Sequence, residues 1–248
     1  MTATQTISFV IPVYRNERAV TLTYQKIRGA LASDLSSYDY EFVFVDDGSD
    51  DGSLAELLRL READPKVRII SFTRNFGQMA AILAGLKGAT GDVILHLSAD
   101  LQDPVELIPR MVRDYELGSE LVIGHRAERE DKWTSRITSR LFYRIIRMSF
   151  PQMPAGGFDY VLMARRVVDS FNRIEVRNRF FQGDLLWMGY RPRSSRTPEP
   201  SGRLAARSTR SRNASRTPSM RSSTRRTCRF GSSAWLARRP PVRDSSMR

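Results

Sequence analysis

The sequence predicts an α/β fold, a mostly parallel sheet covered by helices on both faces. Three observations predict it. Short, nearly continuous apolar runs of strand length recur along residues 7–124. Each is followed by a polar, oxygen-rich turn, and helix-length segments with apolar spacing separate them. Such sheets bind ligands beyond the carboxyl ends of their strands, so the turns after the strands should converge on one crevice.

Ile7 to Val13 opens the chain as a strand buried on both faces, and the polar turn Tyr14-Arg15-Asn16-Glu17 follows. Val20, Leu22, Tyr24, Ile27 and Leu31 mark a helix. Glu41 to Val45 is a second strand, running into Asp46-Asp47-Gly48-Ser49-Asp50-Asp51-Gly52-Ser53, and Leu54, Leu57, Leu58 and Leu60 mark the next helix. Val67 to Phe72 is a strand, Thr73 to Gly77 a loop, and Gln78 to about Lys87 an Ala-rich helix. Asp92 to Leu97 is the fourth strand. Ser98-Ala99-Asp100-Leu101-Gln102-Asp103 leads to a helix expected from Pro104 to Tyr115, with the proline in the first turn, where its missing N–H costs nothing. Leu121 to Gly124 is the fifth strand. Beyond it the expected order is an amphipathic helix over Trp133–Phe150, a Pro/Gly loop to Asp159, a strand Tyr160–Ala164, a helix Arg165–Asn172 and a last helix Asn178–Tyr190.

A net charge of +13 invites a nucleic-acid reading, but its distribution argues otherwise. From Arg191 to Arg248 there are 16 Arg, no Lys and two acids, so residues 1–190 are near neutral at −1. No specific nucleic-acid partner is expected for the body of the chain; a basic, non-catalytic binding protein is the alternative from a different class. The single cysteine, Cys228, supports no disulfide framework and no zinc pattern, as expected of a reducing compartment. No secretory signal and no run of 18 apolar residues is visible. The expected location is the cytoplasm, or the cytoplasmic face of the inner membrane.

Two acidic turns carry the candidate chemistry. Asp46 to Ser53 has the composition of an ordinary turn and cap, yet carboxylates facing a crevice also accept hydrogen bonds from a base or a ribose. At Ser98–Asp103 several oxygens at a strand's carboxyl end suit a hard divalent cation, Mg²⁺ or Mn²⁺. Asp103, directly before Pro104, reads as a helix cap; Asp100, further from the helix, reads as a ligand. Tyr14 reads as core or, by its place after a strand, as a stack for a base, and Arg126 and Arg129 read as solvated charges or as clamps for a diphosphate. His96 and His125 read as structural. No Gly-x-Gly-x-x-Gly follows the first strand and no Gly-Lys-Ser/Thr loop exists, which argues against a dehydrogenase or a P-loop nucleotidase.

Phe9-Val-Ile-Pro-Val-Tyr-Arg-Asn-Glu17, Val45-Asp-Asp-Gly-Ser49, Arg74-Asn-Phe-Gly77, Ser98-Ala-Asp-Leu-Gln-Asp-Pro104 and Gly157-Phe-Asp-Tyr-Val-Leu-Met163 form an ordered set over residues 7–190. The set resembles the inverting glycosyltransferases of family 2, with the GT-A fold, in the branch of the dolichyl-phosphate mannosyltransferases and undecaprenyl-phosphate sugar transferases. The resemblance implies a UDP- or GDP-linked sugar donor, a divalent cation and a polyprenyl-phosphate acceptor at a membrane surface. It implies that Pro12, Tyr14 and Glu17 border the nucleotide, with Asp46 and Asp47 at its base and ribose and Ser98 and Ala99 also beside it. Asp100 and Gln102 would bind the metal, Arg126 would neutralise the leaving diphosphate, and Asp159 would face sugar and acceptor. The family's Asp-x-Asp begins here with Ser98, which leaves the metal fewer charged ligands. A saccharide acceptor, or an inactive transferase, are the alternatives within the class.

The organisation expected is a catalytic domain over 1–191 and a disordered Arg/Ser-rich tail over 192–248. Reverse-translated and read one base out of register, Arg193–Thr197 can give Val-Val-Pro-Tyr, and Ala205–Asn213 can give Gly-Arg-Ser-Lys-Tyr-Thr-Phe-Ser-Lys. Such text is similar to the family's segments leading into its membrane region. The tail is therefore expected to be an out-of-frame replacement of that region.

Overall fold

A computed structural model describes residues 4–125, 153–154, 158–176 and 179–196. Seven strands form one sheet: β1 (Thr6–Val13), β2 (Asp39–Asp46), β3 (Val67–Ser71), β4 (Val93–His96), β5 (Leu121–His125), β6 (Val161–Ala164) and β7 (Pro192–Arg196). Their order is β3-β2-β1-β4-β6-β5-β7. β1 pairs in parallel with β2 and β4, and β2 with β3. β6 is the exception. It inserts between β4 and β5, antiparallel to both, and β7 then pairs in parallel with β5.

The continuous apolar runs are explained by burial on two faces. Ile7, Phe9, Ile11 and Val13 of β1, with Phe42 and Phe44 of β2, face one core, against α1 (Glu17–Asp34), α2 (Ser53–Ala63) and α4 (Ile108–Glu116). Val10, Val43 and Val45 face the other, against α3 (Gln78–Gly88), α5 (Arg165–Asn172) and α6 (Phe181–Trp187). Phe42 stacks on Phe9 and Phe44 at centroid distances of 5.2 and 5.8 Å. Each such ring, taken fully from water, contributes about 1.5–3 kcal/mol.

Glu41 knots the opposite end of the sheet. Its carboxylate accepts hydrogen bonds from Ser8 Oγ at 2.6 Å, Thr90 N at 2.5 Å and Arg68 Nη1 at 3.2 Å. Burial alone would raise its pKa, yet these donors outweigh burial and hold it below the ordinary glutamate range.

Three expectations are corrected. The helix expected from Pro104 begins as a 3₁₀ turn over Val105–Leu107, and α4 starts only at Ile108. Asp103 does not cap it: its carboxylate turns back to Ser98, a longer-range partner with both an N–H and a hydroxyl to offer. Residues 192–196, expected in a disordered tail, form β7. Main-chain pairing to β5 and an ion pair from Arg193 Nε to Asp114 at 3.0 Å hold that strand, and neither leaves an apolar period in the sequence. The expected helix over 133–150 lies outside the described residues.

Candidate active site

The turns that follow β1, β2, β3 and β4 meet at the carboxyl edge of the sheet, around a cavity of about 430 Å³. Pro12, Tyr14, Asp47, Ser98, Ala99 and Asp100 line it, six of the positions expected from sequence. Asn16, Asn75, Gly77 and Gln78 line it too, and carry roles the sequence reading did not assign.

After β1, Tyr14 is 40% exposed and borders the cavity, with the Arg15 guanidinium over its ring at 5.2 Å from the centroid. Its loop is buttoned to the one after β2. Arg15 donates from Nε and Nη2 to the two oxygens of Asp50, both at 2.6 Å, and Asn16 N donates to Ser53 Oγ at 2.8 Å. The charge-assisted pair raises the Arg15 pKa and lowers that of Asp50. Glu17 lies outside the cavity lining. Its carboxylate accepts from Gly52 N at 3.3 Å, so it serves the joint between the two loops.

The paired carboxylates after β2 divide their work. Asp46 is buried and turned from the cavity, accepting from Ser49 N at 3.3 Å and Ser71 Oγ at 3.2 Å. Asp47 borders the cavity, but both of its oxygens accept main-chain donors, Phe76 N at 2.7 Å and Gly77 N at 3.0 Å. Asp47 thereby fixes the entry to α3 and sets Asn75 and Gln78 against the cavity. Gly48 makes this contact possible: a Cβ there would stand 2.3 Å from the Arg74 carbonyl carbon, and its φ is +66°. Arg74-Asn-Phe-Gly77, the loop after a strand, was the available sequence signal for Asn75 and Gln78.

After β4, Ser98 donates from N and from Oγ to Asp103 Oδ2, both at 2.7 Å. Asp100 accepts from Gln102 N at 3.1 Å and keeps an exposed carboxylate on the cavity. Leu101, between them, has φ +60°. The other non-glycine positive φ among the described residues is Arg15, at +54°, so both strained residues sit in loops of this one site.

The donor set fits a hard cation of one kind. Among the described residues no three acidic, His or Cys side chains gather into a cage. Asp100 carries a carboxylate on the cavity and Gln102, two residues on and outside the lining, an amide; the Ser98 hydroxyl is engaged with Asp103. Mg²⁺-type ions are commonly held in this way, by one or two carboxylates with substrate phosphates completing the shell.

Asp159 stands on the same edge. β6 pairs with β4 so that His96 faces Val161 and Leu95 faces Leu162. Asp159 lies two residues before β6, next to the end of this ladder at His96 and Val161, and outside the cavity lining. The Asp159 side chain is exposed and accepts from Gln182 Nε2 at 3.2 Å. His96 is buried beneath, its Nδ1 3.2 Å from Val10 O and its ring edge-on to Phe181, as befits a structural histidine. Burial lowers its pKa, against opposing contributions from Val10 O, Asp103 and Asp159. Arg126 and Arg129 lie outside the described residues.

A mannosyltransferase from Pyrobaculum calidifontis, solved with GDP-Man and Mn²⁺, superposes with a TM-score of 0.56 at 17% identity, over 81% of this chain and 59% of that one. A glucosyl-3-phosphoglycerate synthase from Mycobacterium tuberculosis gives 0.53 at 16%, over 77% and 70%. Both likenesses concern the fold, which is GT-A. A prophage bactoprenol glucosyl transferase homolog of Escherichia coli K12 is 38% identical over 185 residues, 74% of this chain and 60% of its own length. An uncharacterized glycosyltransferase of Bacillus subtilis is 38% identical over 186 residues, 74% and 57%. The chain thus spans about 60% of the length of the curated relatives it matches. The model of glycosyl transferase family 2 matches residues 8–172, which takes in every turn around the cavity, and the chain belongs to that family.

Proposed function

We propose that the chain is the catalytic domain of a transferase that moves a sugar from a nucleotide-sugar to a polyprenyl phosphate. The observation that carries the proposal is the convergence of Tyr14, Asp47 and Asp100 on one cavity of about 430 Å³, a volume suited to a nucleotide. Relatives named bactoprenol glucosyl transferases favour the lipid-phosphate acceptor. The solved neighbour holding GDP-Man and Mn²⁺ favours a sugar nucleotide and a divalent cation.

In this reading Tyr14 stacks on the base, and the Asp47-braced loop of Asn75 and Gln78 borders the nucleotide. Asp100, with Gln102, holds Mg²⁺ or Mn²⁺, which when bound neutralises charge on the diphosphate. One inverting displacement follows. An oxygen of the acceptor phosphate bonds to the anomeric carbon while the bond from that carbon to the diphosphate oxygen breaks. The lipid phosphate is already anionic near neutral pH and needs no strong general base. Asp159 orients sugar and acceptor, and Arg126 meets the departing diphosphate.

Among the described residues no helix is long and apolar enough to cross a membrane. We place the reaction at the cytoplasmic face of the inner membrane, where the acceptor lies. We further propose that residues from about 192 on are an out-of-frame replacement of the membrane-proximal region. Buried Ser195, whose Oγ has no hydrogen-bond partner, supports this: the shifted register can place valine there.

The test is transfer to undecaprenyl phosphate in vesicles, with UDP- and GDP-sugars and Mn²⁺, by a chain whose tail is restored to the other register. Transfer abolished by Asp100→Ala is the expected result. Transfer unaffected by that substitution excludes the site as assigned. An uninterrupted frame encoding this tail in independent isolates would end the frameshift reading.

A further inference from the structure

We infer that Gln182 is a positioning residue for Asp159, an inference that rests on the reading of Asp159 as facing sugar and acceptor. The two side chains come from different elements. Asp159 precedes β6, and Gln182 is the second residue of α6; Gln182 Nε2 lies 3.2 Å from Asp159 Oδ1. Gln182 is 9% exposed, and its Oε1 is buried with no hydrogen-bond partner. A buried amide oxygen left unpaired is a standing desolvation cost, so the amide is not oriented for its own satisfaction. The opposite orientation would set Oε1 against a carboxylate, acceptor against acceptor. Asp159 therefore dictates which way Gln182 faces, and Gln182 in turn holds one oxygen of Asp159.

The rest of α6 explains how so short a helix can hold a partner firmly. Arg179, whose side chain is 5% exposed, donates from Nε to Asp184 Oδ2 at 2.6 Å and from Nη1 to Ile174 O at 2.8 Å. Its guanidinium lies over the Phe171 ring at 4.2 Å. Phe181 packs edge-on to both His96 and Phe171, at 5.4 and 5.6 Å. Gln182 is thus presented from a fixed turn to an exposed carboxylate that precedes β6 and lies outside the cavity lining. With Oδ1 held, the remaining oxygen is the one left to meet a sugar or acceptor hydroxyl.

The experiment is a double-mutant cycle on the full chain with Gln182→Leu, Asp159→Asn and both together, plus Gln182→Lys, which restores a donor. Two quantities are read: turnover, and the ratio of Kd for the nucleoside diphosphate to Kd for its sugar-linked form, with the UDP/UDP-glucose and GDP/GDP-mannose pairs as probes. The ratio is readable in a chain without turnover. Gln182→Leu should lower kcat about 10- to 100-fold with KM for the donor unchanged within twofold. It should shift the Kd ratio as far as Asp159→Asn does, add nothing to Asp159→Asn, and be partly rescued by Gln182→Lys. Additive losses, or a Kd ratio moved by Asp159→Asn alone, overturn the inference and leave the reading of Asp159 intact. An Asp159→Asn variant with unchanged ratio and turnover, or no binding of either pair, overturns both.

Discussion

The two ends of the sheet order are built to different standards of satisfaction. On the side of β3, β2, β1 and β4, the buried carboxylates at the edge all have donors: Asp46 takes Ser49 and Ser71, Asp47 takes Phe76 and Gly77, and Asp103 takes Ser98. On the side of β6, β5 and β7, buried atoms without hydrogen-bond partners collect: Asn172 Oδ1, Gln182 Oε1 and Ser195 Oγ, with Glu120 Oε1 besides, whose contact is an ion pair to Arg166. The first side, which is the donor side in the proposed reaction, is pinned by these hydrogen bonds, and the second is incompletely satisfied.

The sharpest way to break the comparison is at Asp47. Asp47→Ala takes the acceptor from the part-buried main-chain N–H groups of Phe76 and Gly77 and should cost about 2–4 kcal/mol, with a loss of nucleotide affinity of at least tenfold. Denaturant melts and nucleotide titrations of the variant check both. Loss of stability without loss of affinity would mean that the loop of Asn75 and Gln78 has no part in binding.

Glu41→Leu should cost somewhat less, about 2–3 kcal/mol, because it takes the acceptor from Ser8 and Thr90, far from the cavity, while Arg68 keeps Gly88 O. Its distinguishing mark is pH. The Glu41 pKa is lowered in the fold, so its contribution is present above the unfolded value and is lost as pH falls through the folded one. Stability curves of parent and variant should therefore converge in acid, with nucleotide affinity at neutral pH unchanged.

His96 has the opposite chemistry and a milder effect. Burial lowers its pKa, so the folded chain resists a proton that the unfolded chain accepts. Stability should be full above about pH 6.5 and decline as pH falls below it. His96→Asn should flatten that decline, measured by denaturant melts from pH 7.5 down to 5.

Ser195→Val should have the smallest effect and the opposite sign, a gain of about 1 kcal/mol from removing an unpaired buried hydroxyl. A gain sharpens the contrast between the two sides and supports the shifted-register reading of β7. A loss would mean that the hydroxyl is needed where it stands.

The donor side was legible because its strands are buried on both faces, which writes Ile7–Val13 and Glu41–Val45 as nearly continuous apolar runs, and because its turns are local. The same locality misled at Asp103, where a carboxylate next to a proline looks like a cap but bonds five residues back. The division of labour between Asp46 and Asp47 was hidden, since adjacent identical residues in a strand point to opposite faces and only the fold says which face holds the cavity. β7 was illegible because Pro-Arg-Ser-Ser-Arg pairs through its main chain and carries no apolar period. Gln182 was illegible because its partner lies 23 residues away and no motif links them.

The most direct measurement is calorimetric titration of the full chain with UDP-glucose and with GDP-mannose, with and without Mn²⁺, alongside Asp100→Ala. The account predicts saturable binding of at least one donor that strengthens with Mn²⁺, and a loss of at least tenfold in Asp100→Ala. Equal affinity in all four conditions, or no binding of either donor by the parent, would contradict it.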